Sequence, residues 1–89
     1  MLAKIFRIID LLEEFGPMLR LPYSKHIEDD IFELRAKQGG NITRIMYFFV
    51  TGKQIILLNG VVKKTQKTPR LEIEKAKIYR QDYRRRFGK

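Results

Sequence analysis

The residues best suited to chemistry lie in one run, Lys63-Lys64-Thr65-Gln66-Lys67-Thr68-Pro69, directly after the apolar stretch Leu58-Asn59-Gly60-Val61-Val62. Thr68 and Pro69 are a helix-opening pair, with the threonine suited to the cap and the proline to the first helical position. Backbone N–H groups at a helix start favour anions. Three ammonium groups beside such a start describe a phosphate site, and a nucleic-acid backbone is the ligand they point to.

The charge balance of the chain agrees. Of its net +9, residues 63–89 hold 11 Lys/Arg against three acids, whereas residues 1–62 hold eight against seven. So uneven a distribution calls for an anionic partner: nucleic acid, an anionic membrane surface or an acidic protein. With 89 residues and 44% hydrophobic side chains, a single small domain over residues 1–89 is expected. The absence of Cys excludes disulfides and thiolate zinc sites, and one His cannot build a histidine-rich metal site, so neither a metal nor a cofactor is expected. Apolar runs are far too short to span a membrane, and Met1-Leu2-Ala3-Lys4 does not read as a signal peptide. A cytoplasmic protein is expected.

The elements that must position the basic run follow from periodicity. Residues 2–15 form an amphipathic helix, with Ile5, Ile9, Leu12 and Phe15 at helical spacing and Gly16-Pro17 ending it. Residues 17–30 read as a loop with the acidic cluster Glu28-Asp29-Asp30. Three strands follow. In the first, Phe32, Leu34 and Ala36 face one side and Glu33, Arg35 and Lys37 the other. The second spans 42–50, mostly buried, with Arg44 its one charge, and the third spans 55–62. Turns at 38–41 and 51–54 make an antiparallel meander the economical topology. A last helix begins after Thr68, with Leu71, Ala76, Tyr79, Tyr83 and Phe87 as its imperfect apolar stripe. The expected fold is α+β: a small three-stranded antiparallel sheet with both terminal helices on one face and a basic opposite face.

At this point the chain resembles a known family. Phe32-Glu33-Leu34-Arg35, Arg44-Ile45-Met46-Tyr47-Phe48-Phe49, the stretch Leu57 to Pro69 and Glu72-Ile73-Glu74-Lys75-Ala76 are similar to the RelE/ParE toxin superfamily, and most to its phage-derived, HigB-like branch. The resemblance runs from about residue 2 to 83, and the Lys-Lys-Thr-Gln-Lys-Thr-Pro stretch is its most specific part. It implies the toxin of a type II toxin–antitoxin module, a ribosome-dependent mRNA endoribonuclease silenced by an antitoxin of helix-turn-helix type. The ParE branch poisons DNA gyrase instead. One feature departs from the pattern: members open with a strand before the first helix, and Met1 already sits at a helix. A sheet edge without that strand is a template for dimerisation.

RNA cleavage of the implied kind uses the ribose 2′-OH against the adjacent phosphate, without a metal. It needs a group to remove the 2′ proton, positive charge on the phosphate oxygens, and a proton for the leaving 5′ oxygen. By family position, Arg44 matches the arginine at the scissile phosphate, and a guanidinium fork suits that task. Lys64 or Lys67 is the expected proton-transfer group or electrostatic partner, and Tyr83 the nearest match to the aromatic residue some relatives use. Arg35, Lys63 and the tail Arg84-Arg85-Arg86 are expected to bind RNA or phosphate. Strand alternation would turn Lys63 and Lys64 to opposite faces. Plainer roles compete. Arg44 can pair with Glu33 on the adjacent strand, Tyr79 and Tyr83 can pack the core, and His26 and the acids after it can be solvated loop residues.

Two other functions remain beside the endoribonuclease. One is a non-catalytic binder, either a gyrase poison or a shortened toxin that binds only antitoxin or RNA. The other is an architectural DNA-binding protein, which explains the charge but not the match from Thr65 to Pro69.

Overall fold

The computed structural model describes residues 2–50, 54–63 and 67–88. Helix α1 spans Leu2–Phe15, and a short 3-10 turn, Gly16–Met18, follows it. Gly16 adopts φ 55°, a left-handed conformation that suits glycine and ends the helix. Four strands come next: β1 (Ser24–Glu28), β2 (Ile31–Gln38), β3 (Asn41–Phe49) and β4 (Ile55–Lys63). Helix α2 spans Arg70–Phe87.

The strands form one antiparallel sheet in the order β1-β2-β3-β4, so the α+β meander holds with one strand more than expected. The extra strand, β1, lies inside the stretch read as a loop. Its sequence, Ser-Lys-His-Ile-Glu, carries no apolar alternation because an edge strand can be held by backbone pairing alone. The buried Ser24 hydroxyl also bonds the Tyr47 hydroxyl across β2. Gly39-Gly40 makes the β2–β3 turn, closing on the Gln38–Asn41 pair, with Gly39 at φ 61°. The turn expected at 51–54 lies mostly outside the described residues.

The two helices lie on opposite faces of the sheet, not on one. Ile8 and Leu12 of α1 pack with Leu34, Ala36 and Tyr47. On the other face Ala76 of α2 packs with Ile31 and Met46, and Tyr83 meets Phe48 edge-on at 5.8 Å between ring centroids. The cause is legible in β3, which is apolar almost throughout. Such a strand must be covered on both sides. The buried stripe of α2 is also shifted from expectation. Ile73 and Ala76 are buried, whereas Leu71, Tyr79 and Phe87 are exposed.

Ion pairs hold α2 at its other flank. The turn Glu28-Asp29-Asp30, expected to be merely solvated, grips four cations of the helix. Arg70 gives Glu28 two bonds, of 2.5 and 3.0 Å, and Lys77 pairs with the same carboxylate. Asp30 receives Arg80 and Arg84. Hydrogen bonds from Arg70 and Lys77 hold the Glu28 carboxyl down at about 2, against an ordinary 4.5. For Asp30, burial works against ionisation, but Arg80 and Arg84 prevail and keep its carboxyl below the usual range. A carboxylate depressed by folding contributes stability above its unfolded pKa and loses it as the pH falls through the folded value. The Glu28 contribution is therefore expected whole above about 4.5 and gone near 2. Thermal melts across that window should show a falling Tm in wild type and a flatter profile in Glu28→Gln. The difference should shrink in high salt, because these pairs are solvent-facing.

Candidate active site

A cleft of about 240 Å³ opens where β1, the sheet and the start of α2 meet. Lys25 and His26 come from β1, Glu33 from β2, Arg44 from β3, and Lys67 and Thr68 from the segment entering α2. Lys25, His26 and Lys67 are exposed, while Glu33 and Arg44 are each only 1% exposed and line its inner wall.

That wall is an ion-pair cluster built by strand register. Arg35 and Arg44 are direct cross-strand partners on β2 and β3, an arrangement that on its own sets two like charges against each other. Glu33 lies two residues from Arg35 on the same face and resolves the conflict. Arg44 Nη1 donates to Glu33 Oε2 at 2.9 Å, and Arg35 Nε lies 3.6 Å from the same oxygen. The other oxygen, Oε1, accepts a bond from the Thr68 hydroxyl. Thr68 is thus not the helix cap. Pro69 holds the N-cap position with no side-chain capping bond, and the Thr68 hydroxyl ties the helix entry to the sheet instead. The anion drawn to this helix entry is the protein's own Glu33 carboxylate.

The cleft brings together Arg44 and Lys67 of the residues expected to act on RNA, with Arg35 beside them through Glu33. Lys63 ends β4 with its Cα opposite Ile42. Lys64 lies outside the described residues. Tyr83 is not in the cleft. It packs between Phe48 and Phe87, whose ring lies 5.0 Å away. Phe48 is four residues along β3 from Arg44, roughly 13 Å in an extended strand. Arg84 pairs with Asp30 and lies 5.3 Å over the Phe48 ring, while the exposed Arg85 and Arg86 both reach Asp82.

Sequence reasoning passed over Glu33 as a site residue and read His26 as a solvated loop group. The signal available was its place on the strand beside Arg44, where the sequence offers it as a pairing partner, and that pair is present at 2.9 Å. His26 sits on β1 with its ring 5.1 Å from Phe32, and its Nε2 lies 2.5 Å from the Asp29 carbonyl oxygen. Among the described residues, no group of three or more His, Asp or Glu side chains converges to hold a metal ion. No helix among them is long and apolar enough to cross a membrane.

The family of phage derived protein Gp49-like sequences matches residues 1–81. The chain is also 38% identical over 64 residues to the probable endoribonuclease HigB1 of Mycobacterium tuberculosis, strain CDC 1551 / Oshkosh, and equally to that of strain ATCC 25618 / H37Rv. Each match covers 72% of this chain and 50% of the relative, so the chain spans about half the length of the curated relatives it matches.

Proposed function

The chain belongs to the phage-derived Gp49-like family, in the HigB-like branch of the RelE/ParE superfamily, and from that premise we propose that it is the toxin of a type II toxin–antitoxin pair that cleaves mRNA on the ribosome. The observation that carries this reading is the cleft, where Arg44 and Lys67 converge beside a helix entry with Lys25 at the rim. Cations from three separate elements meeting in one concavity fit a phosphodiester better than a solvated basic face does.

In the proposed reaction the 2′ oxygen attacks the adjacent phosphorus, the P–O5′ bond breaks, and the products are a 2′,3′-cyclic phosphate and a free 5′-OH. The 2′ proton leaves to a base, and the departing 5′ oxygen takes one up. Arg44 neutralises charge developing on the phosphate oxygens, and Glu33 holds its guanidinium in place. Lys67 meets the phosphate from the exposed side, with Lys64 the alternative proton-transfer group. Arg35, Lys63, Arg84, Arg85 and Arg86 follow the RNA backbone, and Tyr83 anchors α2. The partners are ribosome, mRNA and an antitoxin of helix-turn-helix type, in the cytoplasm, and the whole fits a single domain over residues 1–89.

Primer extension on a translated mRNA, with and without ribosomes, tests this. Codon-phased cuts that require ribosomes are expected. Lys67→Ala should slow cutting by about 10²-fold with an unchanged Tm, since Lys67 is exposed. A second reading, a non-catalytic binder, is favoured by one observation: Arg44 is 1% exposed and engaged with Glu33. A folded, ribosome-bound protein that makes no cuts would establish that second reading in place of the first.

A further inference from the structure

The last third of the chain holds most of the net positive charge, but folding neutralises much of it. Every Lys and Arg of α2, from Arg70 to Arg86, is ion-paired with an acid of its own helix or of the Glu28-Asp29-Asp30 turn. Lys25 of β1 and Lys37 of β2 stand differently. Both are exposed, and neither is ion-paired among the described residues. Both also lie on the face of the sheet that carries the cleft. Lys25 is the direct cross-strand partner of Glu33, and Lys37 follows Glu33 and Arg35 in strand alternation. Arg44, the direct partner of Arg35, shares that face. Strand spacings put Lys25 and Lys37 each roughly 7–8 Å from Arg35, Cα to Cα, and on opposite sides of it along the strand. The acid among these cations, Glu33, is 1% exposed and bonded to Arg44 and Thr68.

We propose that the substrate RNA passes the cleft as a single strand running along β2, with the phosphates on either side of the scissile bond held by Lys25 and Lys37. The proposal rests on the reading of the cleft as an RNA site and adds the route the strand takes past it. A lone anion needs one cluster of cations, whereas cations repeated along a line suit a chain of phosphates. The cleft at the middle of that line, about 240 Å³, has room for the backbone of one strand and not for a duplex. Lys25 and Lys37 exchange only water and counterions for phosphate. Each cation of α2 must first leave a carboxylate, so the sheet face is the stronger phosphate track. Contacts of this kind set the position of the strand and carry no base preference.

A single-stranded RNA of 2′-O-methyl nucleotides has the backbone charge but no 2′ nucleophile, so its binding is read apart from cleavage. Fluorescence anisotropy of this oligonucleotide with the full chain, across a salt series, gives the affinity and the number of phosphates neutralised. Lys25→Ala and Lys37→Ala should each reduce the slope of log affinity against log salt by about 0.7, one contact to a single strand, and weaken binding about fourfold near physiological salt. Melting curves should be nearly unchanged, since both side chains are exposed. Arg7→Ala removes the same charge from an exposed position on α1, over the other face of the sheet, and should leave the slope at its wild-type value. A wild-type slope in either lysine variant, an equal loss in Arg7→Ala, or no binding of the RNA by the wild-type chain would overturn the route. The endoribonuclease reading is decided separately. Ribosome-dependent cuts with unchanged slopes in the lysine variants would remove the route alone. A chain that binds through both lysines and cuts nothing would keep the route and lose the enzyme.

Discussion

Glu33→Ala is expected to destabilise the fold by about 3–5 kcal/mol, the usual cost of leaving a buried charge without its partner. The cost should lie toward the upper end here. Glu33 is the carboxylate between two arginines that strand register sets directly opposite each other, and its loss removes the 2.9 Å bond from Arg44, 1% exposed, and leaves the like charges of Arg44 and Arg35 unscreened by it. It also releases Thr68, and with it the tie between the helix entry and the sheet. A domain of this size has roughly 5–15 kcal/mol in total, so the variant should be barely folded at 37 °C, with Tm lowered by more than about 10 °C. Thermal and urea melts of Glu33→Ala measure this. A loss under about 1 kcal/mol would mean that water or another group already solvates Arg44.

The second large effect separates what the pair does for the fold from what Arg44 does for RNA. In Glu33→Leu/Arg44→Met both charges leave together and apolar groups of similar volume replace them, a change that is often neutral for stability. Most of the stability lost in Glu33→Ala should therefore return. Cleavage should not return: removing the group that stabilises charge on the phosphate costs about 10²–10³ in rate. Ribosome binding, which draws on many exposed cations, should survive. Single-turnover cleavage and ribosome pelleting on the same preparations distinguish the outcomes. A stable double variant that cuts like wild type would leave Arg44 a purely structural residue and move the chemistry to Lys67 and its neighbours.

Much of this architecture was legible before any coordinates. The α1 pattern, the alternation of Phe32, Leu34 and Ala36, the apolar β3 and β4 and the order of elements all follow from side-chain periodicity, because burial of one face is written into every second or every third and fourth residue. The basic run at 63–67 was equally plain, as was the resemblance that led to the Gp49-like family. Strand β1 was not legible, because an edge strand held by backbone bonds leaves its side chains free to be polar. Nor was the second face of the sheet. A β3 that is apolar from Ile45 to Phe49 says that both sides are covered there, but not which helix covers which.

Composition and periodicity by themselves determined the fold class, the two helices, the central strands, and the concentration of positive charge in the last third of the chain. These are local quantities, set by neighbours along the chain. Only the tertiary structure decided that Arg35 and Arg44 stand opposite each other with Glu33 between them, that Thr68 serves the sheet rather than the helix cap, and that Lys67 meets Arg44 in a cleft while Tyr83 does not. It also decided that the acids at 28–30 are spent on α2. Each of these depends on strand register and helix placement, where a shift of one residue reverses which face a side chain occupies.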